Sequence, residues 1–167
     1  MTSQTETAVG GADDRTRPEL MVAIDGDHPI AWSGPRPLQA QASVVRRIRQ
    51  PELRGGIKER AQLRASWQEL GDDPADLVVA LEIDVLIADD AATARAELLR
   101  LGESRFGDTV RYVGTAQGLL SLILDVYTAE VADAVILRPI DAAAPDGSAA
   151  LMADQVLPRL RERAAAA

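Results

Sequence analysis

A long apolar run in the middle of the chain, Leu77 to Ala88, most constrains what this sequence can fold into. The run reads LVVALEIDVLIA, and its first half is continuously apolar, which is typical of a strand buried on both faces. Just before this run, the segment from Gly71 to Pro74 ends the preceding helical pattern. Just after it, Asp89-Asp90 offers an N-cap for the next helix. We therefore predict a buried central strand that leads directly into a helix over residues 90–102.

Shorter strand and helix patterns alternate on both sides of this run. The predicted strands cover residues 19–25, 43–49, 77–88 and 133–139. Residues 52–70 carry apolar side chains at helical spacing, and Asp108 to Thr115 is interpreted as the start of a further helix. Because strands that alternate with helices imply parallel β-α-β units, the predicted fold class is α/β with a parallel four-stranded sheet.

The start of the chain carries little that could be buried. Residues 1–17 are rich in Thr, Gly and charge, so we predict a disordered tail before a single domain over residues 18–167. Residues 28–42 have a weak helical pattern that is interrupted by Gly34 and Pro37, which predicts one short broken helix.

The composition excludes several kinds of function. The sequence has no cysteine, which excludes disulfides, thiolate metal sites and thiol nucleophiles. A formal net charge of −8 argues against nucleic acid as the main partner, because phosphate neutralisation needs a basic surface. No apolar run reaches the ~18 residues of a membrane helix, and the N-terminus lacks the order of a signal peptide. We therefore expect a soluble cytoplasmic protein.

The segment that follows the first predicted strand is one candidate site. It runs from Asp25 through Gly26 and Asp27 to His28, at the carboxyl end of a strand, where α/β folds bind their ligands. His28 could act as a catalytic base, or the segment could hold a divalent cation. Asp and Gly are also ordinary loop formers, so no metal site is predicted and His28 stands as the candidate catalytic residue.

Charged residues in the other strands form a second candidate set. Its arginines are Arg46, Arg47, Arg49 and Arg138. A guanidinium near the carboxyl end of a strand can bind phosphate or carboxylate through two parallel hydrogen bonds, and the alternative is a surface ion pair. Glu82 and Asp84 share one face of the central strand. They mark a buried site if that face lines a barrel, and otherwise they are solvated or paired across an interface.

The order and spacing of these segments resemble the later part of the bacterial-luciferase-like flavin-dependent monooxygenases. In order, those enzymes carry an Arg-Pro strand, an Ala-Asp-Val-Val strand, an Asp-Pro approach to the next strand, a Gly-Thr helix start and a closing helix with Pro-x-Leu. The segments that carry the resemblance here are Arg17–Ala23, Ala42–Val45, Leu70–Leu77, Ile87–Arg95, Gly114-Thr115, Asp133–Val135 and Val156–Leu160.

The resemblance implies a TIM-like (β/α)8 barrel of which this chain holds only the C-terminal half. It also implies a flavin-dependent oxidoreductase of the monooxygenase type, acting with FMN, or with the deazaflavin F420, on a small organic substrate. The candidate cofactor-binding residues are Gly26, Gly114 and Thr115 together with the arginines Arg49 and Arg138 from the strand ends. For Gly114-Thr115, a helix N-terminus can bind an anion or can simply be capped. The alternative function is a non-catalytic flavoenzyme-like subunit or small-ligand-binding protein, so enzymatic activity stays open.

Half a barrel would leave parallel edge strands and one apolar face uncovered. Native proteins normally cover such surfaces, because exposed edges and apolar patches promote association. We therefore expect a homodimer, or assembly with a full-length flavoenzyme subunit. No nucleic-acid or membrane partner is expected.

Overall fold

The structure, a computed structural model, describes residues 18–25, 32–33, 44–102 and 107–165. The predicted tail over residues 1–17 lies outside the described residues, as does almost all of the predicted broken helix over residues 28–42. Within the described ranges, no helix is both long enough and apolar enough to cross a membrane.

Strands and helices alternate along the described chain. The strands are β1 (Met21–Ile24), β2 (Trp32–Ser33), β3 (Val44–Ile48), β4 (Leu77–Ile87), β5 (Val110–Gly114) and β6 (Ala134–Pro139). The helices are α1 (Leu53–Glu69), α2 (Ala91–Arg100), α3 (Ala116–Thr128), α4 (Ser148–Leu151) and α5 (Leu157–Ala165), with a 3-10 turn (Pro74–Asp76) before β4. The four predicted strands, and the helices predicted at 52–70 and 90–102, are present with ends within two residues of those predicted.

Five of the strands run parallel in one sheet, and β2 adds a short antiparallel pair with β1. The order across the sheet is β2-β1-β6-β4-β3, and β5 also pairs with β4. Residues 80–85 of β4 pair with β6, which therefore lies along one edge of β4. β3 pairs with residues 77–81 and β5 with residues 83–87, so these two strands follow each other along the opposite edge.

The predicted fold class, α/β with a parallel sheet, is confirmed, but the sheet has five parallel strands where four were predicted. The additional strand is β5, in a segment that we interpreted only as the start of a helix. Its sequence, Val-Arg-Tyr-Val, is rich in β-branched and aromatic residues, which pack well on a pleated surface. The helix signal at Gly114-Thr115 was correct for α3, and it obscured the short strand immediately before it.

β1 pairs with β6 rather than with β3, the next parallel strand in the chain. The parallel register joins Met21 to Ala134 and Ile24 to Leu137. When eight strands close into a barrel, the first strand lies beside the last. β1 and β6 thus form a parallel pair between strands that are distant in sequence, whereas a half barrel in simple chain order would have placed β1 beside β3.

The two faces of the sheet differ in character. Alternate residues of β4, including Val79, Leu81 and Ile83, are buried with apolar side chains of α3 and of the closing helical segment. The intervening residues point to the opposite face, which we call the inner face. The apolar part of the inner face consists of Met21, Val78, Ala80, Ala134 and Ile136. Glu82 and Asp84 come next along β4, so the inner face becomes charged toward the carboxyl ends of the strands.

A buried ionic cluster fastens α1 to the amino ends of β4 and β6. Asp133 is fully buried, and its Oδ1 accepts hydrogen bonds from Arg60 Nε at 3.1 Å and Nη2 at 2.9 Å. Its Oδ2 accepts from Arg64 Nη2 at 2.7 Å and from the backbone N–H of Val79 at 3.1 Å. Both carboxylate oxygens are therefore compensated, as burial of a charge requires.

The closing helical segment contains one wider turn. A π-helical turn, Met152–Val156, joins α4 to α5, and the N–H of Leu157 donates to the carbonyl of Met152. Pro158 follows and has no N–H to donate, so a regular α-helical ladder could not continue through it. The wider turn accommodates the proline while Met152 and Val156 stay buried in the core.

We predict that Asp133→Asn lowers the free energy of unfolding by about 3–5 kcal/mol, the usual cost of breaking a buried ion pair. The amide keeps the shape of the side chain but deprives Arg60 and Arg64 of their buried counter-charge. Urea unfolding followed by circular dichroism measures the change. Glu97→Gln is the control, because it removes a carboxylate from an exposed ion pair with Arg100 and should leave stability nearly unchanged. Equal effects of the two substitutions would contradict this role of Asp133.

Candidate functional site

Charged side chains at the carboxyl ends of several parallel strands lie beside one another on the inner face. The register places Arg138 beside Asp84, and Asp25, directly after β1, beside Arg138. Arg49 directly follows β3 at the level of Glu82. The side chains that contact one another here are called the carboxyl-end cluster, and they are Asp25, Arg47, Arg49, Glu82, Asp84, Thr109 and Arg138.

Glu82 is the centre of the carboxyl-end cluster. Its Oε1 accepts a hydrogen bond from Arg47 Nε at 2.7 Å. Its Oε2 accepts from Arg49 Nε at 2.7 Å and from Arg138 Nη1 at 3.2 Å. Three arginines from β3, the residue after β3, and β6 thus converge on a single carboxylate of β4.

Two further carboxylates surround this centre. Asp84 accepts a hydrogen bond from the Thr109 hydroxyl at 2.7 Å, and its other oxygen lies 3.7 Å from Arg138 Nη1. Asp25 accepts from Arg47 Nη2 at 3.3 Å. The three guanidinium charges of the cluster are therefore balanced by three carboxylates, which limits the net attraction for an anion without removing the donor groups.

The arginines reach further into solvent than the carboxylate that holds them. The side chain of Glu82 is only 2% exposed, whereas 42% of Arg47, 51% of Arg49 and 36% of Arg138 is exposed. The hydrogen bond that Arg49 donates to Glu82, and then the charge of Glu82, raise the pKa of the Arg49 guanidinium above its ordinary value. Arg49 is therefore a permanent cation at the solvent side of the cluster.

The structure brings part of the predicted charged set together. Arg47, Arg49 and Arg138 meet on Glu82, whereas Arg46 is exposed and belongs to the other face of β3. Glu82 and Asp84, which we expected to be solvated or paired across an interface if the face does not line a barrel, instead pair with arginines of their own chain. Sequence reasoning missed Thr109, since placing its hydroxyl beside Asp84 requires the pairing of β5 with β4.

Gly114 and Thr115 have clear structural roles where β5 passes into α3. The Thr115 hydroxyl accepts a hydrogen bond from the N–H of Gly118 at 3.2 Å, so Thr115 is the N-cap of α3. The Tyr112 hydroxyl donates to the carbonyl of Thr115 at 3.2 Å, and a Cβ at position 114 would lie 2.7 Å from that hydroxyl. Glycine at 114 is thus needed for packing, and a cofactor contact at Gly114 and Thr115 stays a prediction.

Two predicted site residues, Gly26 and His28, lie outside the described residues. The cofactor contact at Gly26 and the catalytic base at His28 therefore stay predictions. In the described part of the chain, no group of three or more Asp, Glu, His or Cys side chains is arranged to hold a metal ion.

We predict that Gly118→Ala destabilises the protein, although the same change in most helix interiors stabilises by roughly 1 kcal/mol. A methyl group at position 118 would overlap the Tyr112 hydroxyl, which is held by the carbonyl of Thr115. Thermal unfolding should show a lower Tm for Gly118→Ala, and adding Tyr112→Phe should recover most of the loss. A higher Tm for the single variant would contradict this packing.

The similarity of this chain to known proteins lies in its structure. A scan against protein-family models finds no match to the sequence, and a search of curated proteins finds none either. Solved structures, in contrast, match its fold, and those described below cover 71% to 73% of this chain.

Three solved structures illustrate the match. The crystal structure of long-chain alkane monooxygenase (LadA) has a TM-score of 0.59 at 11% identity, covering 71% of this chain and 36% of that chain. Riboflavin lyase (RcaE), solved with modified FMN and the substrate riboflavin, has a TM-score of 0.58 at 14% identity, covering 71% of this chain and 38% of that chain. DmoA from Hyphomicrobium sulfonivorans has a TM-score of 0.58 at 14% identity, covering 73% and 38%.

These neighbours are luciferase-like proteins, so the resemblance predicted from the sequence is confirmed at the level of the fold. The chain spans 36% to 38% of the length of each neighbour, which makes its fold a partial luciferase-like barrel. Because the identities are low, the match establishes architecture, and the chemistry of this chain has to be argued from its own residues.

Proposed function

We propose that this chain is a flavin-binding protein of the luciferase-like oxidoreductase type that takes part in a reaction on a small organic substrate. FMN is the proposed cofactor, and F420 is the alternative. The observation that carries the proposal is the convergence of Arg47, Arg49 and Arg138 at the carboxyl ends of parallel strands.

The position and chemistry of the carboxyl-end cluster support this proposal. Enzymes built on α/β barrels bind their ligands at the carboxyl ends of the strands. Arginine is suited to phosphate because its planar guanidinium presents several N–H donors in a fixed geometry. Arg49 and Arg138 are partly exposed there, so the donor set fits the phosphate end of FMN.

The structural neighbours favour a flavin over other phosphate-bearing ligands. Riboflavin lyase was solved with modified FMN, and another neighbour is a monooxygenase by name. A bound flavin would supply electron transfer and, when reduced, the activation of O2, while the chain would hold and orient it. The residues that we propose for that task are Arg47, Arg49 and Arg138.

Calorimetric titration of the purified protein with oxidised and reduced FMN tests the proposal. We expect micromolar binding that weakens as salt concentration rises, because the interaction is partly electrostatic. Arg138→Gln should weaken FMN binding about ten-fold, in line with the loss of one charge-assisted hydrogen bond. Arg100→Gln, an exposed arginine on α2, is the matched control and should bind as the unaltered chain does. Absence of binding at millimolar FMN would overturn the proposal.

The alternative is a non-catalytic subunit or a small-ligand-binding protein. It is favoured by the balance of charge in the carboxyl-end cluster, where Asp25, Glu82 and Asp84 oppose the three arginines. Under this alternative, the chain would keep the fold and would act through an interface.

Assembly with a second copy, or with a full-length flavoenzyme subunit, is proposed in either case. Among the described residues, β3 and β5 pair only with β4, so their outer edges have no partner strand there. An unpaired parallel edge is a site at which another chain can add a strand.

Sedimentation equilibrium of the purified chain at micromolar concentration measures its assembly directly. We expect a mass of about twice the monomer, because a second copy is the partner always present in a pure sample. A well-folded monomer over the whole concentration range would contradict self-association. In that event, only assembly with a different subunit would remain.

A further inference from the structure

We infer that Glu82 is a positioning residue of a phosphate-binding site, in which it orients Arg47, Arg49 and Arg138 toward a phosphate monoester. This inference deepens the proposed function, because FMN carries such a phosphate. It assigns to Glu82 a role that its identity as an acid would not suggest.

Glu82 contacts the arginines from the buried side of the cluster. Its hydrogen bonds to Arg47 and Arg49 both use Nε, at 2.7 Å each, and so leave the terminal nitrogens of these groups out of the bond to Glu82. Arg47 Nη2 donates to Asp25, whereas the only hydrogen bond of Arg49 among the described residues is the one to Glu82. The guanidinium of Arg49 is therefore fixed at one corner and keeps its outer N–H groups for a ligand.

Within the carboxyl-end cluster, Glu82 is buried and the arginines that contact it are partly exposed to solvent. The carboxylate is 2% exposed, while the side chains that it holds are between 36% and 51% exposed. The apolar part of the inner face lies immediately below, because Ala80 precedes Glu82 on that face and Ile136 pairs with it in register. An anion that approaches from solvent would thus meet the guanidinium groups first and the carboxylate last.

Stability alone does not account for a glutamate at this position. Replacing a buried ion pair by well-packed apolar residues is often neutral or stabilising, and the neighbours of Glu82 along β4 are apolar. The three arginines and three carboxylates of the cluster balance in charge, but all three arginines converge on Glu82 alone. Three converging arginines are better explained as an arrangement in which ordering the long side chains in advance lowers the entropic cost of ligand binding.

The arrangement fits a phosphate monoester better than a carboxylate. A phosphate monoester has three terminal oxygens and close to two negative charges at neutral pH, whereas a carboxylate has two oxygens and one charge. One guanidinium can satisfy a carboxylate through two parallel hydrogen bonds, so several converging guanidiniums suit the larger dianion. The cluster also contains three carboxylates of its own, against which a dianion competes better than a monoanion does.

Binding of FMN, riboflavin and inorganic phosphate to the full chain tests this inference. FMN and riboflavin differ only by the phosphate group, so the ratio of their affinities isolates the site. We expect FMN to bind about ten-fold tighter than riboflavin, and inorganic phosphate to compete with FMN. We expect Glu82→Gln to reduce FMN affinity about ten-fold and to leave riboflavin affinity unchanged, with partial recovery in Glu82→Asp.

The sign of the Glu82→Gln effect decides between positioning and simple charge. The substitution removes a negative charge, so an effect of charge alone would tighten FMN binding, and that result would overturn the inference. Equal affinities for FMN and riboflavin in the unaltered chain would also overturn it, while leaving the proposed flavin function intact. Phosphate binding that is lost in Glu82→Gln, without any flavin binding, would support the inference and reject the proposed function.

A second variant keeps the test decisive if Glu82→Gln does not fold, which circular dichroism would reveal. Arg49→Gln leaves Glu82 and the partners from β3 and β6 in place. It should lower FMN affinity about ten-fold and leave riboflavin affinity unchanged, because the outer N–H groups of Arg49 would be lost. Equal affinity of Arg49→Gln and the control Arg100→Gln for FMN would overturn the inference.

Discussion

The pairing of β4 along both of its edges is the constraint on which the rest of the structure depends. β6 pairs with one edge of β4. Along the other edge, β3 pairs with the first part of β4 and β5 with the last part, so β4 is hydrogen-bonded to three strands from different parts of the chain. This explains why its sequence is apolar over most of its length, since nearly every side chain is buried on one face or the other. The acidic pair that interrupts the apolar run lies where β3 ends and β5 begins, and Arg49 and Thr109 reach it at this junction, while Arg138 reaches it from β6.

Two ionic clusters lie at opposite ends of this sheet, and burial separates their roles. Around Asp133, at the amino ends of β4 and β6, the arginines of α1 are largely buried with the carboxylate, so the contacts fasten the helix and offer nothing to a ligand. Around Glu82 the carboxylate is just as buried, but the arginines remain partly in solvent. An arginine–carboxylate cluster therefore stabilises the packing of a helix at one end of the sheet and supports a proposed binding site at the other. This division agrees with the general tendency of such folds to keep stability and function at opposite ends of the strands.

Local patterns in the sequence predicted most elements, and they failed where pairing is non-local. The strands and helices with clear periodicity were placed within two residues, and two of the candidate arginines, Arg49 and Arg138, do lie together at the carboxyl ends of the strands. β5 escaped notice because it is short and precedes a strong helix signal. Strand order could not be predicted, because nothing in the local sequence of β1 distinguishes β6 from β3 as its neighbour. The arginines converge on Glu82 because of that strand order and the register. The candidate residues could therefore be named from the sequence, but their common partner could not.

The pairing of β1 with β6 also bears on how this chain reaches its native state. Met21 and Ala134 are partners in the register although most of the described chain separates them. The β3-α1-β4 unit joins strands that are close in the chain, whereas the parallel pair of β1 and β6 joins strands that are far apart in it. Such long-range closure raises contact order and slows folding, because the entropy of a large loop is lost before the contacts form. One edge of β1 can pair early with the nearby β2, whereas its other edge is completed only when the distant β6 is in place.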